Sequence, residues 1–149
     1  MKKWQILLIF LISLQMVFMY IKYHKTEHYF SIQGVTYQIR VVNGFTNNSS
    51  EPLVIWCTSQ DGVDMGGRAL QEGDDYTWYT RLTFWTPAPG YSCTIKWDQT
   101  RKTFETFQGH QGRHRCGTRR KCLWLIKEDG IYFGNDESNW VKDFSWRKI

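Results

Sequence analysis

Beyond its first two dozen residues, the sequence has no second apolar run long enough to cross a membrane, no internal repeat and no low-complexity linker. Nor does any later segment keep a 3.6-residue hydrophobic period. These absences exclude a polytopic membrane protein, a solenoid and a helical bundle. Net charge is also scarce where it would matter. Of 19 basic residues, Lys2, Lys3, Lys22 and Lys25 lie in the first 25 positions, which hold no acid; the remainder has 15 bases against 14 acids. The sequence pI of 9.1 is therefore mostly a property of the leading segment and does not point to nucleic acid. No Gly-x-Ser-x-Gly is present and no Gly-rich phosphate loop opens a helix, so the sequence offers no nucleophile elbow and no nucleotide cradle. Asp61, Asp64, Glu72, Asp74 and Asp75 are close in sequence but stand in a Gly-rich polar stretch. A solvated loop explains them better than a tuned carboxylate pair, and their spacing is not that of an EF-hand.

What is present begins with targeting. A short basic start is followed by an almost wholly apolar run over 4–21, broken by Ser13 and Gln15, and then by Lys22, His24 and Lys25. That order predicts a secretory signal over 1–25, with a retained membrane anchor as the alternative, and one domain over 26–149. Four cysteines follow, Cys57, Cys93, Cys116 and Cys122. An even count behind an export signal predicts two disulfides, with three pairings open. Asn47 and Asn48 head two overlapping glycosylation sequons in a polar turn.

The region after the signal reads as strands. Tyr37, Ile39 and Val41 alternate with polar residues, whereas 53–58 is a continuous apolar run expected to be buried on both faces. The stretch 59–73 is loop-like. Tyr76, Trp78, Leu82 and Phe84 share one parity, as do Tyr91, Cys93, Ile95 and Trp97. Asp98-Gln99-Thr100 turns into a strand over 102–107, and Glu128-Asp129-Gly130 turns the strand of Cys122, Trp124 and Ile126 into that of residues 131–133. Trp140, Phe144 and Trp146 share parity at the end. About eight short strands with regular turns predict an all-β fold, a small antiparallel sandwich stapled by disulfides. Seven of the eight Trp lie after the signal. Trp78, Trp97, Trp124 and Trp140 fall on apolar parities and are expected in the core, with Trp56 and Trp85 as the exceptions.

One stretch departs from the even charge. Residues 109–121 hold Arg113, Arg115, Arg119, Arg120 and Lys121, two His and no acid. A loop of this kind on a rigid β scaffold is a candidate surface for an acidic partner. His110, His114, Cys116 and Cys122 superficially resemble zinc ligands, but an exported chain favours disulfide bonding, so no metal is expected.

The pieces taken in order resemble the plant self-incompatibility protein (S-protein) family. The resemblance runs from Val41-Val42-Asn43 through the L-x-x-x-C-x-S-x-D of residues 53–61 and the G-x-x-Y-x-W of residues 73–78. It continues with 93–97, 104–107, Cys116-x5-Cys122-x-Trp124, Asp129-Gly130-Ile131-Tyr132, Trp140 and Trp146. Two places depart from the family pattern. The segment 61–66 is poorer in acid, and Tyr91-Ser92 stands where a bulky pair is usual. The resemblance implies a secreted, extracellular plant protein that signals between cells by binding a cell-surface receptor. It implies no catalytic residue and no cofactor; in one branch such proteins are female determinants recognised by a pollen receptor. A secreted carbohydrate-binding or hydrolytic defence protein is the alternative.

Overall fold

A computed structural model describes residues 2–46 and 51–146, excepting the side chains of residues 24–33 and of residue 110. The chain divides into two compact units, Met1–Val35 and Thr36–Ile149. The first is a single helix, α1 (Lys3–Gln33). Its stretch Lys3–Tyr23 is long and apolar enough to cross a membrane and none of it is buried. With ~1.5 Å of rise per residue, those 21 residues span roughly 30 Å, the thickness of a hydrocarbon core. No polar face interrupts it, and the Ser13 hydroxyl is satisfied within the helix, donating to the Phe10 carbonyl at 2.8 Å. This apolar helix fits a signal segment.

Among the described residues, the β unit holds nine strands and one short helix. They are β1 (Val35–Asn43), β2 (Leu53–Ser59), β3 (Asp64–Leu70), β4 (Asp75–Leu82), β5 (Gly90–Trp97) and β6 (Thr100–Gln108). Then come α2 (Gly109–Arg115), β7 (Lys121–Lys127), β8 (Gly130–Gly134) and β9 (Val141–Phe144). They form a five-stranded sheet ordered β4-β1-β7-β8-β9 and a four-stranded sheet ordered β3-β2-β5-β6. The all-β, disulfide-stapled expectation holds. One pairing differs from the expected antiparallel arrangement: β1 and β7 run parallel, with Gln38 opposite Lys121 and Asn43 opposite Ile126. The physical reason is the connection. A hairpin forces an antiparallel return, whereas β7 is delivered from the other sheet through α2 and can enter beside β1 in the same direction.

Alternation makes the sandwich. Tyr37, Ile39, Val41 and Asn43 of β1 are buried, as are Cys122, Trp124 and Ile126 of β7 and Cys93 and Ile95 of β5. The indole of Trp124 joins the two sheets. Its ring lies 5.0 Å from that of Phe104 and 5.0 Å from that of Phe133, and its Nε1 donates to the Thr106 carbonyl at 3.0 Å. Burial of a ring this size is worth roughly 1.5–3 kcal/mol, and the hydrogen bond removes the cost of an unpaired N–H.

The sequence misjudged several elements. The run 53–58 is not buried on both faces: Leu53, Ile55 and Cys57 point inward, while Val54 is 37% exposed. The outer face of that sheet has only side-chain cover, such as the Arg101 guanidinium 5.1 Å from the Trp56 ring. The stretch taken as loop contains β3, an edge strand of which only Leu70 is buried. Gly67 lets that strand lie close to β2, where a Cβ would stand 3.2 Å from the Ile55 carbonyl oxygen. Among the Trp, 78 and 124 are buried as expected and Trp85 is exposed as expected; Trp97 and Trp140 are only half-buried. Phe84, placed with the core parity, is 76% exposed because β4 ends at Leu82 and the Thr83 and Thr86 hydroxyls then close a turn at 2.5 Å.

Both predicted disulfides are present, and the open pairing resolves to Cys57–Cys93 and Cys116–Cys122. The first joins residues directly opposite each other on β2 and β5. The second ties the end of α2 to β7 and leaves Cys116 and Cys122 unable to ligate zinc. By the chain-entropy account, closing loops with separations of 36 and 6 residues contributes about 4 and about 2 kcal/mol.

Candidate functional site

The strand registers gather the loops at two opposite ends. At one end β6 finishes beside the start of β5, with Gln108 opposite Gly90. Ser59 lies opposite Tyr91, Gln38 opposite Lys121 and Leu123 opposite Gly134. The Thr80 and Tyr91 hydroxyls meet at 3.0 Å, bringing the end of β4 to the same place. This α2 end therefore carries the loop of residues 83–89, helix α2 and the segment 116–120. Gly109 donates its N–H to the Pro89 carbonyl at 3.1 Å, and Ala88 occupies the space a Cβ on Gly109 would need. Loop and helix are packed together.

Helix α2 is short, and its last turn is basic, with Arg113, His114 and Arg115. Cations there suit the negative end of the helix dipole. Gly112 fits because a Cβ would stand 2.8 Å from the Phe107 ring. The Cys116 N–H closes the helix on the Gly112 carbonyl at 2.9 Å, and Arg120, in the left-handed region at φ 57°, turns the chain into β7. The Arg120 carbonyl then accepts the Gln38 N–H at 2.9 Å. Both ends of the basic segment are thus fixed to the sheet, and the Cys116–Cys122 bridge closes it.

Within this segment the five candidate cations divide. Arg113, Arg119, Arg120 and Lys121 are exposed. Arg115 is exposed too, its side chain 43% accessible, but its guanidinium is engaged: it lies 2.7 Å from the Asp143 carboxylate, 4.0 Å from the Phe133 ring and 5.0 Å from the Trp124 ring. It braces α2 against β7, β8 and β9, and it lines a cleft of about 340 Å³ with Phe104, Phe107, Trp124, Phe133 and Phe144. Nothing in the sequence distinguishes Arg115 from its neighbours, because its partners come from strands far along the chain.

The acids once weighed for catalysis are separated by the fold. Asp61 accepts from the Ser59 hydroxyl and Asp64 from the Gly66 N–H at 2.8 Å, in the β2–β3 connection. Asp74 accepts the Gln71 N–H at 2.9 Å, at the far end of the sandwich. Asp75 accepts from the Thr77 hydroxyl at 2.6 Å and pairs with Arg40 at 3.3 Å. These contacts, the Thr77 hydrogen bond first, hold its carboxyl below the usual range, the wrong direction for a general acid. Asn47 and Asn48 lie outside the described residues. Their neighbour Thr46 is exposed, and its N–H donates to the Glu128 carboxylate at 2.6 Å, opposite the α2 end.

Phe84, which parity places in the core, and Trp85, expected outside it, stand on the loop packed against α2. Phe84 and Trp85 are 76% and 75% exposed, and their rings meet edge to face at 5.1 Å. The strand stops at Leu82, before Phe84 can take a core position; Pro87 and Pro89 just beyond are the sequence signal that a strand ends in this region.

The family model for plant self-incompatibility protein S1 matches residues 38–146. A curated relative, self-incompatibility protein S1 of Papaver rhoeas, is 29% identical over 106 residues, covering 69% of this chain and 72% of that protein. The matched span runs from β1 past β9 and includes both disulfides, the aromatic core and the basic segment. The chain belongs to the plant self-incompatibility protein S1 family.

Proposed function

We propose that this protein is exported and acts as a non-enzymatic recognition ligand of the self-incompatibility type. It binds an acidic protein partner on a plant cell surface through the loops of the α2 end. The observation that carries this reading is the acid-free segment 109–121, closed by a disulfide and fixed at both ends to a rigid sheet. A loop held this way loses little conformational freedom on binding, and exposed Arg and Lys complement carboxylates. The apolar helix α1 and the absence of free cysteines among the described residues support export.

The test is binding of the oxidised protein to plant cell surfaces. Saturable attachment, removed by pretreating the cells with protease, is expected of the parent. The triple variant Arg113→Glu, Arg119→Glu and Lys121→Glu should lose that attachment while its circular dichroism spectrum stays unchanged. Arg115 is left in place because reversing it would break the Asp143 pair. Undiminished binding by the triple variant would remove the basic segment from the reading. Turnover in a hydrolase panel, or a specific signal on a glycan array, would overturn the non-enzymatic protein-ligand reading altogether.

A further inference from the structure

The protruding ring pair has no role in the sandwich. Phe84 and Trp85 contact each other, three-quarters exposed, on a loop whose far side is packed on α2 through Gly109 and Pro89. From residue 76 to residue 97 the sequence has no acid, and from 106 to 127 it again has none. Two acid-free segments therefore meet at one end, one offering apolar rings and the other Arg113, Arg119, Arg120 and Lys121. The acids at this end stand outside those two segments and are engaged or on other turns: Asp61 and Asp64 where β2 turns into β3, Asp136 capping its own loop, Glu137 on Arg40 at 3.1 Å, Asp143 on Arg115 at 2.7 Å, and Glu105 accepting from the Gln108 amide.

We infer that the α2 end docks on an anionic lipid surface, with Phe84 and Trp85 entering the headgroup layer and the 113–121 cations facing lipid phosphates and carboxylates. Charge sign selects the lipid: cations beside rings attract an anionic leaflet and have no such attraction to a neutral one. Ring geometry selects lipid over sugar. With an interplanar angle of 88°, the pair forms a wedge and not the flat platform on which a pyranose stacks. Indole and phenyl rings at a loop tip are suited to the membrane interface, where an apolar body and a polar edge are both satisfied. Such docking would hold the ligand in the plane where a surface partner sits.

Flotation of the exported, oxidised protein with protein-free vesicles tests this. Vesicles of phosphatidylcholine with phosphatidylserine should bind at least about tenfold more protein than phosphatidylcholine alone, with the excess removed by high salt. Phe84→Ser with Trp85→Ser should remove most of the binding, and Arg119→Glu with Lys121→Glu should remove the preference for phosphatidylserine. Tryptophan emission of the parent should be quenched by brominated lipid, and that of Trp85→Phe much less so, a readout that needs a folded protein but no loss of binding. Equal binding to both vesicle types, binding indifferent to the ring substitutions, or quenching unchanged in Trp85→Phe would each overturn the inference. Binding to polygalacturonate in place of vesicles would overturn it in favour of an acidic polysaccharide. Vesicles contain no protein, so failure here leaves the protease-sensitive partner untouched, and failure there leaves the lipid surface standing.

Discussion

The two ends of the sandwich use the same residue types for opposite purposes. At the hairpin end, strands β5 and β6 turn through Asp98-Gln99 and strands β7 and β8 through Glu128-Asp129. These two hairpins have no spare chain, and the rings at this end are drawn inward. Phe45 lies 4.5 Å from Trp97, Trp97 lies 6.4 Å from Trp146, and the Trp146 Nε1 donates to the Lys127 carbonyl at 2.8 Å. Asn43 completes the seal with its side chain buried: its amide donates to the Leu70 carbonyl at 3.0 Å and accepts the Phe45 N–H at 3.1 Å. At the α2 end β4 stops at Leu82, and a Phe–Trp pair remains in solvent on the loop that packs against α2. What an aromatic residue serves is decided here by what its connection packs it against, not by its hydrophobicity: Phe45 is buried on Trp97, whereas Phe84 and Trp85 pair with each other in solvent.

The two bridges give the strongest way to break that comparison. Replacing Cys57 and Cys93 by Ala should cost about 4 kcal/mol of stability in chemical denaturation, and lower the whole molecule's protection from amide exchange. Replacing Cys116 and Cys122 by Ala should cost about 2 kcal/mol, with faster exchange in residues 109–121 and unchanged exchange at Asn43, Phe45 and Trp97. Equal loosening of both ends by either pair would mean that they are not separable.

Next in size is the seal itself. Asn43→Ala leaves the Leu70 carbonyl and the Phe45 N–H without their side-chain partner in a site that is 2% exposed, and should cost about 2–3 kcal/mol. Thermal or urea denaturation checks it; a loss below about half a kcal/mol, the range of ordinary surface changes, would deny Asn43 its role. The hydrophobic pair ending in Asn, by which the sequence resembles its family, thus has a physical reason.

The smallest effect sharpens the comparison from the other side. In the β8–β9 loop, Asp136 accepts the Asn139 side-chain amide at 3.1 Å and the backbone N–H groups of Asn139 and Ser138 at 2.7 and 3.0 Å. These bonds, the Asn139 side chain foremost, lower its carboxyl from 3.8 to about 2. A depressed folded value means the contribution is complete above the ordinary carboxylate range and is lost as pH falls through about 2. The Ser138 and Asn139 amide resonances should therefore shift between pH 4 and pH 2 ahead of those at the hairpin end, and Asp136→Asn should remove that titration. Resonances that do not move in the parent would refute the cap.

The sequence was most legible where one face of a strand is buried. Strands β1, β4, β5 and β7 appear as alternation, and the turns at Asp98-Gln99 and Glu128-Asp129 as polar breaks between them. Strand β3 left no such mark, since an edge strand with one buried residue has nothing to alternate. Helix α2 was too short and too rich in glycine for a 3.6 period, and the direction of β7 beside β1 is invisible to any local pattern. In the candidate surface, charge density alone singled out residues 109–121. Setting Arg115 apart from its neighbours needed Asp143, Trp124 and Phe133 to be in place.

The parallel pairing of β1 with β7 also bears on how the molecule comes into being. Strand β1 is the first of the β domain to be synthesised, yet it sits between β4 and β7, and β7 begins only at Lys121. Until the ribosome has passed that point, an inner strand of the larger sheet has a bare edge, a template for mispairing with another chain. Assembly of the larger sheet therefore waits for β7, and a chain truncated after β6 would be trapped with that edge of β1 open.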